Sequence, residues 1–153
     1  MKFLELKIPP VLFFFVTATF MWSMTLISNE LGINTNIRFI IGAVSLLAGG
    51  FIAISGIVGF RKAKTTVNPT KPDKASSLVC SGIYRYTRNP MYTGLLFVLI
   101  AWSCFLDNLF SLLFVFAYLL YMTQFQIKPE ERVLESIFGK NYNNYKERVR
   151  RWL

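Results

Sequence analysis

The chain contains no histidine. That removes imidazole as general base, as triad partner and as metal ligand. Its two cysteines, Cys80 and Cys104, form no CxxC and are too few for a disulfide framework. Acidic residues are scarce: 8 Asp and Glu stand against 17 Lys and Arg, a formal net charge of +9. No GxGxxG phosphate loop occurs. What the chain does have is apolar surface. Of 153 residues 54% are hydrophobic, 15 of them Phe, and the mean hydropathy is +0.43. So much Phe, Leu and Ile excludes intrinsic disorder, and it is hard to bury in one small soluble core, so the bilayer is the natural solvent. The basic residues flank apolar runs, so the high pI of about 9.8 points to anionic lipid headgroups and not to nucleic acid.

Four uncharged runs stand out, at residues 8–28, 39–60, 91–105 and 109–127. The first two suffice to cross a hydrocarbon layer of about 30 Å as helices. Lys2 and Lys7 give the first run the look of a signal peptide. The run is longer than the roughly 7–15 apolar residues of such a peptide and no A-x-A site follows, so it is expected to remain as a span. The second run carries Gly42, Ser45, Gly49, Ala53 and Gly56 at helical spacing. This stripe of small residues suits close approach of another helix, either within the chain or in a homodimer. The third run is short for a crossing and is expected to borrow residues upstream of Met91 or to lie in a thinned region. Only Leu106, Asp107 and Asn108 part it from the fourth, which predicts a tight helical hairpin. The expected fold is an all-α integral-membrane domain over residues 1–153, with four transmembrane helices and a C-terminal interfacial amphipathic helix.

Charge sets the orientation. Residues 61–90 hold Arg61, Lys62, Lys64, Lys71, Lys74, Arg85 and Arg88 against Asp73, and the tail 128–153 is similarly basic. Glu30, Arg38 and Asp107 are nearly all the charge in the other two loops. The positive-inside rule therefore puts both termini and the middle loop in the cytoplasm. The hairpin brings its two cytoplasmic ends side by side, so residues 90–94 should meet residues 128–131 in a cleft at the membrane surface.

The first block of that cleft, residues 65–94, is extended or turned around Pro69 and Pro72, turns at Gly82, and starts a helix at Pro90. A helix N-terminus beside Arg85 and Arg88 is an anion site. The alternative is that both arginines are juxtamembrane anchors and that Tyr84, Tyr86 and Tyr92 form an aromatic belt. In the second block Pro129, Glu130 and Glu131 suit a helix start, and Gly139 suits a stop or bend. Tyr142, Tyr145, Val149 and Trp152 form one apolar face, expected to float in the interface. Glu131 and Glu135 are like charges at i,i+4, read as a solvated acidic face.

Residues 78–94, LVCSGIYRYTRNPMYTG, and residues 130–149, EERVLESIFGKNYNNYKERV, resemble the integral-membrane methyltransferases typified by isoprenylcysteine carboxyl methyltransferase and the phospholipid methyltransferases. The two motifs occur in the family's order, with the hydrophobic hairpin between them, and cover about the C-terminal half. The resemblance implies S-adenosylmethionine as methyl donor. Carried over position by position, it places cofactor contacts at Ser76, Ser77, Leu78, Val79, Tyr84, Asn89, Pro90, Met91, Tyr92 and Glu130. Arg88, Asn89 and Glu130 are the implied catalytic residues, and Gln126 the implied substrate contact. Arg88 is either a counter-charge for the methionine carboxylate or a brace against Glu130 or Glu131. Two departures stand out. Asn89 replaces the His of the family's R-H-P triplet and cannot take a proton. Gln126 stands where the prenylcysteine enzymes have a basic residue, which weakens the case for a carboxylate substrate.

The expected function is methyl transfer to a lipophilic or amphipathic acceptor, a small molecule or a lipid, by alignment and exclusion of water more than by acid–base chemistry. No metal is implied. Three other readings fit the same architecture: an NADPH-dependent membrane reductase, a non-catalytic membrane scaffold, and a degenerate family member that binds the cofactor without turnover.

Overall fold

The computed structural model describes residues 4–63 and 76–153. The expected positions Lys2, Lys64, Pro69, Lys71, Pro72, Asp73 and Lys74 lie outside them. The described chain is helical: α1 (Pro10–Met24), α2 (Thr35–Lys62), a 3-10 turn (Gly82–Arg85), α3 (Pro90–Leu106), α4 (Leu109–Tyr121), a π-helical segment (Met122–Ile127), α5 (Lys128–Phe138) and α6 (Lys140–Arg148). The sole β feature among the described residues is a single bridge between Thr87 and Arg150.

Two helices are long and apolar enough to cross a bilayer: Thr35–Lys62 and the continuous run Leu109–Phe138. Only 22% and 33% of their most apolar windows is buried in the protein. A core helix of a soluble domain would hide most of that surface; here Leu47, Phe51, Ile40, Phe116 and Leu120 are all more than 60% exposed. At 1.5 Å per residue the run Leu109–Phe138 is about 45 Å long and so outreaches a hydrocarbon core of about 30 Å. Its uncharged part ends at Ile127, and from Lys128 onward charged residues alternate with apolar ones. Helices α1 and α3 are apolar but shorter, at 15 and 17 residues. The first ends at Met24, before the expected boundary, and the chain leaves it through turns in which Thr25 and Ser28 donate their hydroxyls to the Trp22 and Met24 carbonyls.

The hairpin closes as its sequence predicts. Asp107 ends α3 in the left-handed conformation (φ 50°), and the Asn108 side chain caps α4 by accepting from the Phe110 and Ser111 N–H groups. The α1–α2 connection is tied to this turn by an Asp107–Arg38 ion pair of 3.3 Å and an Asn108–Ser28 hydrogen bond of 2.6 Å.

The small-residue stripe of α2 is filled by α3. A Cβ added at Gly49 would stand 2.7 Å from the Gly94 carbonyl oxygen, and one added at Gly94 would stand 2.6 Å from the Ala53 Cβ. Gly56 faces Pro90 and Met91 in the same way. The stripe thus serves internal packing. The main core, built on Met21, Leu99, Tyr118, Met122 and Ile127, runs along α1, α3 and α4 toward the hairpin's open end.

Candidate active site

At Pro129 the chain must solve a local problem. Proline has no N–H for the carbonyl of Phe125 four residues back, and the N–H of Leu6 takes that carbonyl instead at 3.0 Å. Upstream, the helix widens into the π segment Met122–Ile127. Such bulges re-aim side chains and recur at functional sites. So Pro129 does not stop the fourth apolar run; the helix continues through it to Phe138.

Gln126 and Glu130 consequently face Tyr92 on the first turn of α3. The Tyr92 hydroxyl donates to Glu130 Oε2 at 3.0 Å, and Gln126 Nε2 donates to the Tyr92 oxygen at 3.3 Å. The Gln126 carboxamide also hydrogen-bonds Glu130. Glu130 forms no ion pair among the described residues. Burial pushes its pKa up to about 7, against the opposing hydrogen bonds from Tyr92 and Gln126.

A second, charged layer backs this group. Glu131 is buried, not solvated as its spacing from Glu135 led us to expect. Arg151 holds it in a fork, with Nε at 3.0 Å from Oε1 and Nη2 at 2.7 Å from Oε2. Arg88 Nη2 reaches Oε1 at 2.6 Å. Burial alone would raise the Glu131 pKa, but Arg151 and Arg88 outweigh it and hold the carboxyl below the usual carboxylate range. Glu135 instead pairs with Lys146 at 3.1 Å.

Arg88 is also anchored to the C-terminal segment, donating through Nη1 to the carbonyls of Lys146 and Val149 at 2.9 and 3.0 Å. Its terminal nitrogens are therefore occupied by the fold; of the two sequence readings, it acts as the brace, toward Glu131. Asn89 donates Nδ2 to the Arg151 carbonyl at 2.9 Å. Thr87, fully buried, donates to the same carbonyl and receives the Asn89 N–H. Thus residues 87–89 and 149–151 are laced together, and Trp152 adds a bond from Nε1 to Thr123.

The apolar face expected to float in the interface is turned inward. Tyr142, Tyr145 and Val149 are buried and pack on Leu78, Leu134 and Phe138. The Tyr145 hydroxyl donates to the Tyr84 carbonyl at 2.7 Å. Tyr84 is itself buried, its hydroxyl on the Gly56 carbonyl and its ring edge-on to Phe60. Burial drives the Tyr84 pKa far up, so the phenol stays protonated. Val79 packs near Gly59 beside it, and the Ser77 hydroxyl reaches back to the Ala63 carbonyl at the end of α2. Pro90 is buried at the start of α3 and Met91 half-buried. Ser76 begins the second described stretch.

Most sequence-selected residues therefore meet at one end of the hairpin. Tyr92, Gln126 and Glu130 form one polar group; Arg88 and Asn89 join the neighbouring brace. Leu78, Val79 and Tyr84 stand behind as a packed shoulder. Thr87 and Arg151 were missed. Glu131 was named only as a possible partner of Arg88, and Arg151 is hidden in a basic run.

An apolar helical hairpin whose open end gathers a buried group of hydrogen-bonded polar side chains is the arrangement of a small membrane protein, and comparison with known proteins gives it a family. The chain belongs to the phospholipid methyltransferase family: residues 37–141, more than half of it, match that family's profile. It is 31% identical over 105 residues to the protein-S-isoprenylcysteine O-methyltransferase of Schizosaccharomyces pombe, covering 68% of this chain and 44% of that one. It is 49% identical over 63 residues to an uncharacterized protein of Haemophilus influenzae, all of that protein and 41% of this chain. No solved structure matches.

Proposed function

We propose that the chain is an S-adenosylmethionine-dependent methyltransferase acting on a lipophilic or amphipathic acceptor at the cytoplasmic face of a membrane. Four spans, formed by α1, α2, α3 and the run of residues 109–127, put both termini and the residue 61–90 loop on that face, where the positive charge lies. The observation that carries the reading is the Tyr92–Gln126–Glu130 group, set within the family's two motifs at the hairpin's open end.

The residues fit such a cofactor. Glu130 is a carboxyl surrounded by neutral donors and lacking a counter-cation among the described residues. A ribose hydroxyl or a cationic group satisfies such a carboxyl and favours its charged form. When bound, S-adenosylmethionine supplies a methyl group already activated on a sulfonium. The chain's own task is then to align and to exclude water. Tyr92 and Gln126 fix the Glu130 carboxyl in one orientation, while Arg88, Glu131 and Arg151 fix the helix that carries it. Asn89 holds the tail across the first turn of α3. Ser76 to Val79, Tyr84, Pro90 and Met91 remain candidate cofactor contacts, and Gln126 a candidate acceptor contact. An amine acceptor loses its proton most readily to Glu130, whose pKa lies near neutrality.

The test is calorimetric titration of S-adenosylmethionine and S-adenosylhomocysteine into detergent-purified protein, with Glu130→Ala alongside. Micromolar binding that the substitution abolishes is the expected result. Absence of binding to folded protein refutes the proposal and turns attention to NADPH.

A further inference from the structure

Beside the shoulder formed by residues 78–85 lies an open pocket of about 500 Å³ that shares only Leu78 with the proposed cofactor contacts. That volume falls in the range of small-molecule sites, roughly 300–1,000 Å³. Its polar lining is Arg85, Arg148, Asn141 and Asn144, all exposed, with Cys80 and Tyr145 beside them, and no carboxylate lines it. Arg148 is steadied by a 3.0 Å bond from Nε to the Asn144 carbonyl. Arg85 has no hydrogen bond or ion pair among the described residues. Two guanidiniums and two carboxamides around one hollow are the donor set that phosphate oxygens require.

The other side of the same turn says which phosphate. Ile83 and Tyr86 line an apolar groove that descends along α2 past Val58 and Ile54 to Phe51. The turn therefore stands at the edge of the apolar belt, with Arg85 on its cavity side. We propose that this cavity binds the phosphate headgroup of an anionic membrane phospholipid. The site rests on the membrane reading above but not on methyl transfer.

Occupation of the cavity also reaches the candidate active site. Tyr145 and Val149 line it, and these residues respectively hold the Tyr84 carbonyl and accept from Arg88. Leu78 closes its third side. A bound headgroup thus fastens the residue 78–85 shoulder to the tail.

The test measures the thermal transition of the full chain in neutral detergent, with added phosphatidylglycerol, phosphatidylcholine or inorganic phosphate. Wild type is compared with the Arg85→Gln/Arg148→Gln double variant. Phosphatidylglycerol is expected to raise the wild-type transition, with phosphatidylcholine inert, and the double variant to need about tenfold more lipid for the same rise, as loss of charged hydrogen bonds implies. An equal response of wild type and variant overturns the site. An equal response to inorganic phosphate and to the lipid overturns the lipid assignment. S-adenosylhomocysteine binding is followed in the same samples without anionic lipid; both proteins are expected to bind alike. Loss of that binding in wild type counts against the methyltransferase reading alone, because the lipid response is read separately.

Discussion

Glu131→Gln tests the brace most directly, because the amide keeps the shape while it removes the charge and turns one accepting oxygen into a donor facing a guanidinium. In the native chain this carboxylate receives three hydrogen bonds from two guanidiniums. Its side chain is 11% exposed, that of Arg88 9% and that of Arg151 33%. Removing one partner of a fully buried pair costs about 3–5 kcal/mol. With Arg151 a third exposed and able to rehydrate, the lower end applies, about 3 kcal/mol. For a chain of this size that lowers the thermal midpoint in detergent by roughly 6–12 °C. Arg151→Gln is expected to cost only about 1 kcal/mol, since water takes over part of its role. The pH dependence has a definite sign. The folded Glu131 pKa is depressed, so its contribution is complete above the unfolded carboxylate pKa and is lost as pH falls through the folded value. Glu131→Gln should therefore narrow its gap to wild type in acid. A midpoint unchanged at neutral pH, or a larger loss for Arg151→Gln than for Glu131→Gln, refutes the assignment of Glu131 as the brace's centre.

Three further predictions bear on the cleft and the bundle. Glu130 has the opposite sign, with a folded pKa raised to about 7, so ionising it destabilises the ligand-free protein as pH rises from the unfolded pKa through 7. Glu130→Gln is accordingly expected to raise the ligand-free thermal midpoint at pH 8 and to change it little at pH 5; a loss at pH 8 contradicts the buried-carboxyl argument. Binding of the cationic S-adenosylmethionine at pH 6.5 should release protons, measurable by calorimetry in buffers of different ionisation enthalpy. Tyr92→Phe, which removes a hydrogen bond to the charged carboxylate, should move that proton release to higher pH, and an unmoved profile argues against the contact. Gly49→Ala should cost about 1–3 kcal/mol of overpacking, because the new Cβ meets the Gly94 carbonyl and Phe97. Gly50→Ala, with nothing within 4 Å, should be neutral or mildly stabilising, and equal melting of the two variants disproves the close packing of α2 on α3.

Much of this architecture is legible in linear sequence because the bilayer imposes a one-dimensional rule. A run without charge must be helical where lipid surrounds it, and small residues at helical spacing mark where helices touch. The hairpin turn at Asp107 and Asn108 was legible for the same local reason, as was the meeting of Tyr92 with the Glu130 region. Helix ends were less so. Residues 25–28 are uncharged, and composition does not show that the chain leaves the helix there. Pro129 misleads in the other direction, since its missing N–H signals a break that the π segment and the N–H of Leu6 absorb.

The site's second layer was hidden because it depends on contacts far apart in sequence. Charge spacing within residues 130–135 makes Glu131 solvated; Arg88, 43 residues upstream, entered only as one of two readings, and nothing in that window reveals Arg151, 20 residues downstream. The face of Tyr142, Tyr145 and Val149 has the right period for a membrane surface, but periodicity states only that something apolar covers it. Here the cover is Leu78 with Leu134 and Phe138, and that choice explains the rest. Once the tail docks on the residue 78–85 shoulder, the carbonyls of Lys146, Val149, Arg150 and Arg151 come within reach of residues 87–89. Arg88 can then be buried without an unpaired charge. The basic tail therefore closes over the hairpin from outside, and the carboxyl held by Tyr92 and Gln126, Glu130, owes its position to the neighbouring carboxyl that Arg88 and Arg151 hold.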